Sequence, residues 1–237
     1  MNSYQLNELA LEFRVDCGIN HANPIDLFPL MTNKITDLTI VFLDMDPEVS
    51  GASYKFGTQK IMFINSNHTQ GRQRFTAAHE LYHLFYDDTT FTICNLNNND
   101  KIEKQADQFA SYLLMPINAL YAYKKEKSIE KWDMDSIIDC EQYFQISHES
   151  LLYRLKSSNE INSDEYETYN QNIKYNALKR GYDLKLYEPY ISKNYTIGNY
   201  ARLVKKCHEN DLISNARKEE YLLDAFLSDL VYNLEEL

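Results

Sequence analysis

Apolar residues recur at helical spacing from the start of the chain. Leu6, Leu9, Ala10 and Phe13 share one face, with Glu8 and Glu12 between them. This predicts an amphipathic helix over residues 3–16, closed by Cys17-Gly18. Asn23 ahead of Pro24 reads as an N-cap followed by a first-turn proline, so a short second helix is expected over 25–31. The period then shortens. Residues 38–43 are apolar and β-branched, and residues 51–56 and 60–64 flank Gly57-Thr58 as the arms of a hairpin, giving three expected strands. Polar residues 65–71 lead into a helix from about 72 to 86.

The run CNLNNND at 94–100 reads as a loop. Asp100 can cap a helix with Ile102, Ala106, Phe109, Ala110 and Leu113 on one face and Pro116 at its end. A helix pair over 134–143 and 148–156 follows, turning at 145–147. Further helices are expected near 164–180, 196–209 and 215–234, with Gly181 as C-cap of the first. The polar stretch SSNEINSD divides the chain into an expected core domain, 1–160, and a helical region, 161–237, that serves recognition or regulation. Ten of the 19 tyrosines lie in the last 72 residues, more aromatic contact area than a small helical layer needs for its core.

At 237 residues the chain can bury a core without disulfides. Its formal charge of -11 and pI near 5.0 oppose phosphate backbones, so no direct nucleic-acid binding is expected. The helix pair at 134–156 has the outline of a helix-turn-helix, but Asp133, Asp135, Asp139, Glu141 and Glu149 make its outer face acidic, which is wrong for phosphate contacts. Cys17, Cys94, Cys140 and Cys207 are scattered, form no C-x-x-C pair, and read as partly buried small hydrophobes in a reducing compartment. With no secretory pattern and no long apolar run, a cytoplasmic protein with no membrane partner is expected.

The chemistry concentrates in His79-Glu80-Leu81-Tyr82-His83. Four residues apart on a helix, the two imidazoles share a face and can ligate one Zn²⁺. Glu80 lies about a quarter-turn away, placed to take a proton from water activated by that ion. Phe75, Ala78, Tyr82 and Phe85 can clamp the helix to a core. A catalytic zinc needs a third protein ligand. Glu103, opening the next helix, is the candidate, but Asp100-x-x-Glu103 also matches a capping box, and spacing leaves ligand and cap equally open. Asp107, one turn on, can orient a ligand histidine. His21, His68, His148 and His208 are isolated, His68 being the one near the candidate site. The strand at 60–64 is the expected edge on which an extended peptide could lie.

The runs RQRFTAAHELYH and EKQADQFASYLLMP resemble the ImmA/IrrE metallopeptidases, as do the upstream NPIDL, the hairpin SGASYKFGTQKIMFIN and the later YFQISHESLLYRLK. The likeness runs from about residue 5 to 158. It implies an α+β fold with a zincin-like core, in which a small three-stranded sheet packs on the HExxH helix and a second metal-ligand helix. It implies Zn²⁺ held by His79, His83 and Glu103, Glu80 as general base, and an Xre-type helix-turn-helix repressor as the protein substrate. A zinc-stabilised module that sequesters a repressor without cutting it, and a toxin or defence protease, are the alternatives. Tyr82 stands where the family often has glycine, and residues 159–237 match only loosely.

Overall fold

The computed structural model describes residues 1–95 and 100–232. The fold is α+β and mostly helical. Helix α1 (Ser3–Asp16) starts at a capping box in which Asn2 and Gln5 bond each other's backbone N–H, both at 2.9 Å. Helix α2 (Leu27–Lys34) begins later than Pro24 suggests. Its N-cap is Asp26, and Pro24 lies outside the helix.

Strands β1 (Leu38–Leu43), β2 (Val49–Phe56) and β3 (Gln59–Asn65) form as expected, and two more join them. They are β4 (Phe91–Asn95), which takes up the start of the segment expected to be a loop, and β5 (Tyr195–Gly198), where a helix start was expected. Residues 96–99 lie outside the described residues. The sheet order is β4-β2-β3-β1-β5. Strand β1 runs parallel to β3, while β2 is antiparallel to both β3 and β4, and β5 is antiparallel to β1. Strand β3 is therefore paired on both sides and cannot be the edge that receives a peptide. Its second side is filled by the non-consecutive strand β1, a pairing that no hairpin pattern announces.

Helix α3 (Gln70–Tyr86) packs on β2 and β3, and α4 (Lys101–Leu114) packs on both α3 and α1. Close packing of α3 on α4 rests on Ala77, Ala78, Ala106 and Ala110, all inaccessible to solvent. Around them Leu81, Phe109 and Leu113 are fully buried, each contributing about 1.5–3 kcal/mol by leaving water. Two members of the expected apolar faces stay outside: Ile102 and Phe85 are exposed, although Phe85 packs edge-on against Phe13 at 6.0 Å.

Buried polar groups lock α3 in place. Arg74 donates to Gln145 O at 2.7 Å and to Ile25 O. Gln73 donates to Asn65 O and Ile191 O, both at 3.1 Å, and accepts from Tyr190 N at 2.9 Å. Each of these bonds satisfies a group that would otherwise be costly inside.

Helices α5 (Ile117–Glu126), α6 (Met134–Phe144) and α7 (His148–Ser157) complete the main hydrophobic cluster, which extends to Ile161. The α6–α7 pair forms as expected around a left-handed Gln145, with Ile137, Phe144, Leu151 and Leu155 inside. Its acidic face differs from expectation. Glu141 is fully buried: His148 donates to it at 2.6 Å, and Tyr187 donates to its other oxygen. His148, expected as an isolated polar residue, is thus half of a buried pair, which is how a buried carboxylate escapes the cost of desolvation.

The expected helix over 164–180 divides into α8 (Ser163–Tyr169) and α9 (Ile173–Lys179) at a left-handed Asn172. Gly181 follows α9 at φ +87°, with Tyr182 N–H returning to Ala177 O at 3.0 Å, the expected C-cap in Schellman form. Helices α10 (Asn199–Glu209), α11 (Asn215–Asp224) and α12 (Ser228–Val231) follow, so the single helix expected to 234 breaks after Asp224. Two small apolar clusters serve this part of the chain, one around Ile138, Ala177, Leu186 and Tyr187, the other around Val204, Leu222, Ala225 and Leu227. Among the described residues, no helix is long and apolar enough to cross a membrane.

Candidate metal centre

Three elements converge on one buried point. Helix α3 supplies His79 and His83, one turn apart; α4 supplies Glu103 from its first turn; β4 supplies Cys94. One donor atom from each lies within 4.8 Å of the others, and all four residues are buried. The Nε2 atoms of His79 and His83 are 3.1 Å apart. Glu103 Oε2 lies 3.3 Å from His79 Nε2, and Oε1 lies 3.5 Å from His83 Nε2. Donors at 2.0–2.3 Å from a tetrahedral zinc are separated by roughly 3.3–3.8 Å; the two carboxylate–imidazole separations fall in that range, and the two imidazole nitrogens, slightly closer, need to part by a few tenths of an ångström to hold a zinc ion. Asp100 is the N-cap of α4 but makes no side-chain cap bond, and the Glu103 carboxylate faces the histidines.

Both imidazoles are oriented from behind. His79 Nδ1–H donates to Asp107 Oδ1 at 2.9 Å, and His83 Nδ1–H donates to Asp87 Oδ2 at 2.9 Å. Each bond places the proton on Nδ1 and leaves Nε2 free to face the cluster. Asp107 was expected in this place; Asp87 was missed, although its i+4 spacing from His83 is visible in the sequence. The Asp107 side chain is 55% exposed and that of Asp87 only 7%, so the unexpected carboxylate is the better shielded of the two. Lys55 reaches the end of α3, donating to His83 O at 3.0 Å and Asp87 O at 2.5 Å, a cation at a helix C-terminus. Tyr82 is buried between α3 and α4, its ring against Phe109 at 5.7 Å and its hydroxyl donating to Gln105 at 2.8 Å.

Glu80 is fully buried, and neither carboxylate oxygen has a hydrogen-bond partner among the described residues. Burial raises its pKa, an effect that His79, Cys94, His83 and Ser53 offset only in part. The approach of α3 to the sheet at this level depends on Gly51. A Cβ there would stand 2.6 Å from Thr76 Cγ2, 2.7 Å from Phe63 O and 3.2 Å from Glu80 Oε1.

The field of the site calls for a cation. Burial alone would lower the pKa of His79, but Asp107, Cys94 and Glu103 outweigh it and hold the pKa well above the ordinary histidine value. Burial raises the pKa of Glu103, yet the hydrogen bond and charge of His79 bring it below the usual carboxylate value. Burial lifts the Cys94 thiol to about 12. Without a metal, a proton on His79 supplies the positive charge that this donor set demands.

The remaining histidines lie elsewhere. His68 bonds Pro47 O at 3.2 Å in the loop before α3, His148 pairs with Glu141, and His208 meets Ile213 O at 3.3 Å. Cys94 is the member of the cluster that sequence reasoning did not single out. A strand alternation, with Phe91 and Ile93 exposed and Cys94 buried, was the available signal, masked by the asparagine-rich run behind it.

The chain is similar to a solved structure described as a Mycobacterium tuberculosis transcriptional regulator, at 16% identity and a TM-score of 0.46, over 65% of this chain and 46% of that one. This chain therefore spans less than half the length of that protein. No curated protein matches it in sequence. A peptidase family model, described as the IrrE N-terminal-like domain, matches residues 33–156, just over half of the chain and the whole of the α3–β4–α4 cluster. The chain belongs to that peptidase family.

Proposed function

We propose that this protein is a zinc-dependent, site-specific metallo-endopeptidase of the cytoplasm. Its substrate in this reading is an Xre-type helix-turn-helix repressor, whose cleavage relieves repression of a mobile element or stress response. The observation that carries the catalytic part is Glu80: a buried carboxylate with two unpartnered oxygens, held beside a ready-made set of metal donors. A purely structural metal site needs no such group.

His79 and His83, through Nε2, and Glu103, through its carboxylate, would hold the ion. Zinc, when bound, supplies a Lewis acid that polarises the scissile carbonyl and acidifies water. Glu80 would take the proton of the attacking water and deliver it to the leaving amine; burial, which raises its pKa, helps it to hold that proton between the two transfers. Asp107 and Asp87 keep the two imidazoles in the tautomer that faces the ion. Among the described residues strand β4 is the sheet edge beside the site, so an extended substrate segment would add there by main-chain hydrogen bonds.

The family resemblance supports the repressor as partner. Residues 161–237, with their tyrosines, are the proposed recognition unit, and direct binding of nucleic acid is not part of the reading. The test is incubation of the zinc-loaded chain, and of its Glu80→Gln variant, with an Xre-type repressor encoded beside it. Cleavage at one site by the wild type alone supports the proposal. Binding without cleavage by either protein supports the sequestering module instead, and equal cleavage by both removes Glu80 as the base.

A further inference from the structure

We propose that Cys94 is a fourth protein ligand of the metal, so that the resting protein holds its ion in a closed site with no position left for water. This rests on the zinc reading above and adds a donor to the His79, His83 and Glu103 set.

Cys94 differs from the other cysteines in what surrounds it. Cys17 and Cys140 sit within the main apolar cluster, whereas Cys94 is buried outside it, among imidazole and carboxylate groups. Its sulfur lies within 4.8 Å of the donor atoms of His79, His83 and Glu103. A cysteine serving only as a small hydrophobe has no reason to sit among buried imidazole and carboxylate groups.

The ladder beside it is irregular, with the unpaired residue, Ser50, on the facing strand β2. Cys94 pairs with Gly51 and Asn95 with Val49, and the ladder between β2 and β4 shifts register between those two partners. A bulge beside a site re-aims a side chain. Gly51, opposite Cys94, is also the residue whose lack of a Cβ lets α3 and Glu80 come close to the sheet. The irregular stretch of β2 at Gly51 therefore lies against both Cys94 and Glu80.

The charges match as well. Two neutral imidazoles, one carboxylate and one thiolate balance a dication, and four protein donors are the mark of a closed zinc site. Closure leaves Glu80, with its two unpartnered oxygens, no water to act on. Strand β4 is held within the sheet only by β2 among the described residues, and its ladder is irregular at Cys94. A substrate segment added to β4 would thus bear directly on the ligand that closes the site. In this scheme the thiolate withdraws, takes up a proton from solvent, and leaves its position to water; no oxidant or reductant is required.

The test is X-ray absorption at the zinc edge on the full-length, zinc-loaded protein, compared with Cys94→Ser. The expected result is one sulfur scatterer at about 2.3 Å in the wild type, lost in Cys94→Ser while about one zinc per chain is retained. A cobalt-substituted wild type should show sulfur-to-metal charge-transfer absorption in the near ultraviolet, also lost in the variant. A wild-type spectrum with only nitrogen and oxygen neighbours overturns the proposal and leaves the zinc reading standing. A sulfur signal that persists in Cys94→Ser overturns it too. A wild type that takes up no metal overturns both. The wild-type spectrum decides the matter even if the variant folds poorly.

Discussion

The wall formed by α3 and α4 and the last third of the chain are built on different terms. In the wall, small residues let two helices meet closely, and polar groups are buried with their partners fixed: His79 on Asp107, His83 on Asp87, Arg74 on two carbonyls. In residues 161–232 the apolar clusters are small and the tyrosines lie half outside; Tyr175 and Tyr232 are largely exposed. Several tyrosines there fasten the segment to the core. Tyr190 stacks on Phe28 at 4.9 Å, and Tyr169 donates to Trp132 O at 2.9 Å. The contrast shows where tolerance should lie. Substitutions in the wall should strike metal and chemistry, and those in the last third should strike stability or partner choice.

The largest effect that would break this contrast, if absent, is at Glu80. Glu80→Gln should keep the fold and the metal and lose cleavage by about 10²–10⁴-fold, measured as single-turnover rates on the partner. His79→Ala and His83→Ala should lose the metal itself. Next come the two orienting carboxylates. Asp87→Ala and Asp107→Ala should each weaken zinc binding by about 10–100-fold in competition titrations, with Asp87 the greater because its bond is shielded from water. Equal, negligible effects would mean that the histidines need no second support.

The raised pKa of His79 gives a pH dependence with a definite sign. In the metal-free chain its protonated form contributes stability that is fully present below the unfolded value of about 6.5 and is lost as pH rises through the folded value. Zinc must displace that proton. Binding should therefore strengthen with rising pH and release one proton from His79 at pH 7, and a second from Cys94 when its thiolate ligates, read by calorimetry in two buffers of different ionisation enthalpy. An uptake or release of zero would contradict the protonated ring.

Smaller effects sharpen the comparison. Gly51→Ala should cost about 1–3 kcal/mol by overpacking against Thr76 and Phe63, and should also lower cleavage by displacing Glu80. Tyr190→Ala, removing a stack in the last third, should cost about 0.5–1.5 kcal/mol for the ring pair on top of the apolar area lost, and leave zinc affinity unchanged. A loss of zinc in Tyr190→Ala would erase the distinction between the two regions.

What the sequence disclosed follows the same division. The i, i+4 spacing of His79 and His83 is local, and so are the apolar face of α1 and the turn between α6 and α7; each was legible because neighbours in sequence are neighbours on a helix. The pairing of β1 with β3 is not local, and it turned the expected edge strand into an interior one. Cys94 was hidden because its strand runs straight into NLNNN, whose composition reads as loop. Glu141 was counted on an acidic face because its partners, His148 and Tyr187, are 7 and 46 residues away. Burial of a charge depends on a partner that periodicity does not reveal.

The central claim is that His79, His83 and Glu103 hold one zinc beside Glu80. Elemental analysis of the full chain, purified without chelator and then titrated with zinc, tests it most directly. The account predicts about one zinc per chain in the wild type and in Glu80→Gln, with marked loss in Glu103→Ala. Less than about a tenth of an equivalent of any transition metal, with no uptake on titration, would contradict it, as would a Glu103→Ala variant that binds zinc as the wild type does and loses only the stability of a helix cap.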